Sequence, residues 1–163
     1  MPKPDYPITP AVRVLREKNI AFEPRLYEYI EHGGTRVSAD ALGVDEHSVI
    51  KTIVLETDVR SPLVVLMHGD REVSTKMLAR LLGVKTVSPC DPAIVQKHTG
   101  YTVGGVSPFG TRKAMSVYAE KTIFDLPRIL INGGKRGFLV EINPADLRVA
   151  LKIQEVEVGI EQH

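Results

Sequence analysis

Four glycines fall within the twelve residues from Thr99 to Gly110, among them the adjacent pair Gly104-Gly105, and a Ser107-Pro108 step follows. Glycine lets a backbone approach a ligand closely and supplies positive φ, so successive N–H groups of such a loop can point into one concavity. A tight corner between strands has the same composition. Walker-type nucleotide binding is excluded: Gly105 and Gly110 have the right separation, but Thr111-Arg112 stands where Lys-Ser/Thr is required. A second run, Asn132-Gly133-Gly134-Lys135-Arg136-Gly137, adds two cations to three glycines. Taken alone it reads as a hairpin loop, and two such runs in one small chain point to a lined cleft.

Lys51 begins the run Lys51-Thr52-Ile53-Val54-Leu55, directly after Val49-Ile50. Its charge is either solvated, with the stem lying along apolar surface, or fixed toward a ligand's carbonyl or phosphate oxygen, where partial desolvation strengthens it. Spacing leaves both open. The histidines at 32, 47, 68, 98 and 163 are not paired with carboxylates or cysteine at metal-ligand spacing, so no metal and no cofactor is expected. Cys90, the single cysteine, sits between Ser88-Pro89 and Asp91 and reads as a small buried residue. Ser107 lacks the Gly-x-Ser-x-Gly frame of a hydrolase elbow. No conventional triad is present.

These residues need a scaffold. Thr9-Pro10, Asp91-Pro92 and Asn143-Pro144 each place a capping oxygen before a proline, which predicts a helix start at each. Met77, Leu78, Leu81 and Leu82 at helical spacing, with Gly83 after them, predict a helix from about Ser74 to Leu82, and a short one is expected over Ser38 to Leu42 before Gly43. Strands are expected at Thr52 to Leu55, Leu63 to Met67, Val84 to Val87, Ile129 to Ile131, Phe138 to Ile142 and Ile153 to Val158. Without a composition break, linker or repeat, residues 1–163 read as a single compact α/β (α+β) domain with a mixed β-sheet flanked by helices.

The composition, 43% hydrophobic and 25% charged, is that of a folded soluble chain. A lone cysteine precludes a disulfide framework, and Met1 to Asp5 holds no apolar leader, so a cytoplasmic location without membrane contact is expected. A net charge of +1 gives no overall cationic field to hold nucleic acid, so any contact with RNA must be local or assisted by a partner, and no DNA partner is expected. The local basic groups are Lys76, Arg80 and Lys85, Lys97, Arg112-Lys113 and Lys135-Arg136.

Taken in order, Thr9-Pro10-Ala11, Lys51-Thr52, the Thr99 to Gly110 loop, Gly133-Gly134-Lys135-Arg136-Gly137 and Asp146-Leu147 resemble the YbaK or prolyl-tRNA editing family, in particular the bacterial Cys-tRNA(Pro) deacylases. The resemblance implies a mixed sheet flanked by helices and a deacylase acting on the aminoacyl-tRNA 3′ end beside prolyl-tRNA synthetase. It implies that Lys51 is the essential lysine near the aminoacyl ester, that Tyr27 is a substrate-pocket tyrosine and that Gly104 leaves room for the aminoacyl group. Gly105, Ser107, Asn132, Gly133, Gly134 and Arg136 complete the expected substrate-binding set, with N–H groups around the two glycine pairs lining the pocket. Asn132 and Leu139 depart from the cysteine-specific pattern, which has serine and aspartate there. For Cys-tRNA the resemblance implies a substrate-assisted route, in which the cysteine thiol attacks its own ester. A non-catalytic tRNA- or synthetase-binding module with the editing fold, a deacylase for another small amino acid (Ala or Ser) and a small-molecule hydrolase acting on nucleotides are the rival readings.

Overall fold

Capping side chains and glycines set most of the helix ends. In the computed structural model, which describes residues 5–162, Thr9 accepts the N–H of Val12 at 3.1 Å and opens α1, Pro10–Glu17. Ser74 accepts from Met77 at 3.2 Å and opens α3, Thr75–Leu82; before it α2 spans Gly34–Leu42, four residues longer toward the N-terminus than expected. Both α2 and α3 stop at a left-handed glycine, Gly43 and Gly83. Asp91-Pro92 opens α4, Pro92–Thr99. Asn143-Pro144 does not open a helix directly: Asn143 Oδ1 accepts the N–H of Ala145 at 3.0 Å, which makes a turn, and α5 begins only at Asp146 and ends at Ala150. The expectations for residues 1–4 and for His163 lie outside the described residues.

The strands are β1 Glu23–Leu26, β2 Val49–Thr57, β3 Pro62–His68, β4 Arg71–Val73, β5 Val87–Pro89, β6 Ser116–Glu120, β7 Ile129–Lys135, β8 Phe138–Ile142, β9 Ile153–Val156 and β10 Gly159–Glu161. Five of the expected runs coincide with strands. The sixth, Val84 to Val87, is displaced to β5 because Asp58 Oδ1 takes the N–H groups of Lys85 (3.1 Å) and Thr86 (3.4 Å), which withdraws them from any ladder. One mixed sheet runs β1-β8-β7-β2-β3-β6-β9, with β5 also on β2, while β4 and β10 form a separate pair.

Strand β3 alternates strictly. Val64 and Leu66 pack on one face with Ala11, Val12 and Leu15 of α1, Val95 of α4 and Leu147 of α5; Leu63, Val65 and Met67 pack on the other with Leu78 and Ala79 of α3. Ala39 of α2 covers Val49, Leu130 and Leu139 on its own stretch of sheet. Side chains this buried contribute roughly 1.5–3 kcal/mol each relative to exposure, so the centre of the sheet is the rigid part of the molecule. The chain is a mixed α/β domain with helices on the sheet, as expected from its sequence. None of the described helices is long and apolar enough to cross a membrane.

Candidate active site

The sheet is open beside β2. Parallel pairing of β2 with β7 is confined to Val49↔Leu130 and Ile50↔Ile131, and the next lateral partner, β5, begins only at Leu55↔Pro89. The N–H of Gly69 reaches Val49 O (2.7 Å) and the N–H of Cys90 reaches Val54 O (3.2 Å). Main-chain groups of odd-numbered residues therefore face β3, and those of even-numbered residues face the opposite side. Ile50 is the last residue met by β7 and Val54 is met by Cys90, so the main chain of Thr52 faces the opening with no partner among the described residues.

A cavity of about 550 Å³ occupies this gap. Its walls include the apolar side chains of Val49, Val95, Val106 and Leu139, and its polar lining includes Tyr27, Lys51, Thr52 and Asn132. The Thr52 hydroxyl is buried and has no hydrogen-bond partner among the described residues. Buried polar atoms are nearly always paired, so this unpartnered hydroxyl beside the cavity is an exception to the usual pattern.

Lys51 is half-buried and lines the cavity, and its ammonium donates to the carbonyl of Arg71 on β4. Burial pushes its pKa below the ordinary lysine value, against the pull of Glu46, Glu72 and Asp70. Tyr27, whose N–H donates to Gly137 O at 3.0 Å, has a phenol pushed up by burial and by neighbouring Tyr29. Cys90 lines the same cavity; burial, then Glu56 and Asp91, raise its thiol to about 11, so it stays protonated at neutral pH and is a poor nucleophile.

The structure brings Tyr27, Lys51, Gly104, Asn132 and Arg136 to one cavity, and it does not bring Gly105, Ser107, Gly133 or Gly134 there. Each exception has a physical reason. Ser107 is fully buried, and its Oγ accepts the N–H of Phe109 at 3.2 Å to fix a turn. Gly133 lies under the Phe138 ring, which a Cβ would meet at 2.4 Å, and Gly134 adjoins Tyr101 and Thr9. Gly105 is the contact between the two glycine runs: a Cβ there would meet the Arg136 nitrogen at 2.7 Å.

Two of the four N–H groups expected to line the pocket are engaged elsewhere. Gly105 N–H is bonded to Thr102 O (2.8 Å), and Gly134 N–H to Asn132 Oδ1 (2.7 Å). Asn132 also accepts from Lys135 N–H (3.1 Å) and donates to Gly104 O (3.2 Å), so its amide holds the β7 bulge and ties it to the loop. Arg136 Nε donates to Val103 O at 3.0 Å, and its guanidinium lies 5.0 Å from the Tyr29 ring centre, over the face. The glycines thus serve close approach of two backbone segments that frame the opening. Thr52 and Tyr29 escaped the sequence reading. For Thr52, strand alternation argues against a site shared with Lys51, and only the gap beside β2 lets both reach one cavity.

The family model for the aminoacyl-tRNA editing domain matches residues 34–150. EbsC of Enterococcus faecalis, provisionally assigned as a Cys-tRNA(Pro)/Cys-tRNA(Cys) deacylase, is 28% identical over 137 residues, 83% of this chain and 84% of EbsC. The proline–tRNA ligase of Moorella thermoacetica is 32% identical over 122 residues, 72% of this chain but 21% of the ligase, so the chain spans about a fifth of that enzyme. Among solved structures, hypothetical protein APE2540 superposes with a TM-score of 0.84 at 20% identity, covering 93% of this chain and 100% of that one. A structure described as a candidate trans-editing enzyme for prolyl-tRNA synthetase gives 0.79 at 19% identity, covering 96% and 100%. At those identities the likeness is one of fold.

Proposed function

The chain belongs to the aminoacyl-tRNA editing domain family, and from that premise we propose that it is a trans-acting aminoacyl-tRNA deacylase that clears Cys-tRNA(Pro) beside prolyl-tRNA synthetase. The observation that carries this reading is a half-buried lysine ammonium at the polar side of a largely apolar cavity of about 550 Å³. That volume is in the range of small-molecule sites and exceeds what one amino-acid side chain fills, so it has room for the aminoacyl group and part of the terminal nucleoside.

An aminoacyl ester is already activated, so orientation and charge stabilisation suffice for its cleavage. Lys51 holds the terminal ribose or phosphate oxygens and steadies the charge that builds on the ester. The Thr52 main chain and its unpartnered hydroxyl supply directional hydrogen bonds that the N–H groups of Gly105 and Gly134, already engaged, do not. In the thiol-assisted route the substrate sulfur attacks the ester carbonyl. A C–S bond forms, the C–O bond to ribose breaks, and the thiol proton passes to the departing oxygen. The product is a four-membered thiolactone that water opens to free cysteine.

Two tests bear on this. Thr52→Val keeps the shape and deletes an unsatisfied hydroxyl, so the melting temperature should hold or rise, while single-turnover deacylation falls about tenfold, the worth of one hydrogen bond to a charged or reacting group. Unchanged deacylation would remove Thr52 from the account. A second reading is favoured by Leu139, 4% exposed in the wall, and by the Asn132 amide being committed to main-chain groups. Such a wall also suits another small amino acid, Ala or Ser, with water as nucleophile. Blocking the thiol decides between them: S-methylcysteinyl-tRNA(Pro) should resist cleavage, and clearance at the rate of Cys-tRNA(Pro) would favour the second reading.

A further inference from the structure

Three cations that lie within ten residues of one another in the sequence border one groove in the fold. Lys76 and Arg80 are one helical turn apart on α3, and Lys85 follows in the segment leading to β5; with Thr75 and Thr86 they border a groove of about 430 Å³. All three are exposed, and none has a carboxylate within 4 Å among the described residues. The rim is fixed in shape by Asp58, which accepts the N–H groups of Lys85 and Thr86. Their charge is therefore presented outward from a rigid border, with no internal ion pair to consume it.

The groove adjoins the cavity along two separate stretches of chain. Arg71, whose carbonyl receives the Lys51 ammonium, is four residues before Thr75 at the groove. Cys90, in the cavity wall, is three residues after Val87, in the groove wall. Covalent geometry limits these separations to about 14 Å and about 11 Å between Cα atoms. Leu78 and Ala79 of α3 pack on Leu55, Val65 and Met67, and the partly buried Ile53 joins that cluster, so Lys51, in alternation with Ile53 and Leu55, lies on the face of β2 that α3 covers. At one strand charge per ~3.4 Å of stacked length, chain links of at most about 11–14 Å keep the groove border within roughly three or four nucleotides of the cavity border.

We infer that the Lys76–Arg80–Lys85 groove binds the phosphate backbone of the nucleotides leading to the tRNA 3′ end, and so feeds the terminal aminoacyl group to Lys51. The inference rests on the deacylase reading and extends it to how a chain with a net charge of +1 captures a polyanion. Local charge at the right distance replaces the overall field that the molecule lacks. Binding through this groove raises affinity without touching the reacting atoms, so its loss belongs in KM and salt dependence, not in kcat.

The test compares wild type with two triple variants of equal charge change: Lys76→Gln/Arg80→Gln/Lys85→Gln at the groove, and Arg13→Gln/Lys18→Gln/Lys152→Gln at exposed positions elsewhere. Binding of uncharged tRNA is measured over a range of salt, and deacylation kinetics of mischarged tRNA at one salt. The groove variant should raise KM at least about tenfold, leave kcat within about twofold, and flatten the slope of log K against log salt by roughly 2 to 3. The control variant should do none of this. Equal effects in both variants would reduce the groove to general net charge and overturn the inference. So would an unchanged tRNA slope accompanied by lost association with prolyl-tRNA synthetase, which would make the groove a protein-docking surface. A wild-type protein that deacylates nothing sinks the parent reading instead, and the tRNA-binding slopes still judge the groove.

Discussion

Lys51→Ala should lose at least about 10²- to 10³-fold in single-turnover deacylation, the range for removing one pre-placed electrostatic group from a reaction centre, while the thermal transition stays where it is. The fold should survive because the ammonium is partly desolvated and, among the described residues, is held by the Arg71 carbonyl and by no ion pair. Charge is the property at stake, and it has a pH signature. On the proposed reading the active form is the ammonium, and burial depresses its pKa below 10.5. Deacylation, corrected for spontaneous ester hydrolysis, should therefore fall with rising pH at a midpoint below that of an ordinary lysine. The unfolded chain binds more protons than the folded one in the interval between the two pKa values, so this group makes stability rise with pH there. Loss of activity on that limb is then not explained by unfolding driven by Lys51. Full activity in Lys51→Ala would remove the lysine from the chemistry.

Gly105→Ala should damage both stability and activity, for a reason unrelated to backbone freedom. The added Cβ would stand 2.7 Å from the Arg136 nitrogen and 2.9 Å from the Lys135 carbonyl carbon, both main-chain atoms that no rotamer change can move. Overpacking of this kind costs about 1–3 kcal/mol, which lowers the melting temperature of a domain this size by roughly 3–10 °C. Relief requires the loop to part from the β7–β8 hairpin. That strains the bonds from Asn132 to Gly104 and from Arg136 to Val103, and deforms the cavity mouth. Deacylation should drop at least about tenfold at a temperature where the variant is fully folded. Gly43→Ala is the matched control: its φ is +66 but nothing lies within 4 Å of the added Cβ, so it should cost some stability and leave deacylation intact. If the two variants behaved alike, the glycine junction would have no role in shaping the site.

The sequence made the local events legible. Thr9 and Ser74 as caps, Gly43 and Gly83 as stops, and the apolar run of β3 are decided by residues a few positions apart. Asn143 misled because its side chain can cap a turn as readily as a helix, and Asp58, remote in sequence, decided where β5 starts. Short polar strands such as β1 and β4 carry no periodic signal; their partners, β8 and β10, create them.

The candidate site divides along the same line. Glycine content announced a close approach, but not that Gly105 approaches Arg136 or that Gly133 lies under Phe138. Neither could the sequence disclose that the N–H groups of Gly105 and Gly134 are already bonded, because both partners follow from the turn and bulge geometry. The gap that lets Lys51 and Thr52 share a cavity arises where β7 bulges away after Asn132, a long-range event with no local mark at residue 51.

The most direct measurement is release of radiolabelled amino acid from tRNA(Pro) charged in turn with Cys, Ala, Ser and Pro, with wild-type protein and Lys51→Ala run side by side. The account predicts that Cys is released fastest, that Pro is spared, and that the variant releases none above the spontaneous rate. Release of no amino acid by the wild-type protein, or equal release by the variant, would contradict it.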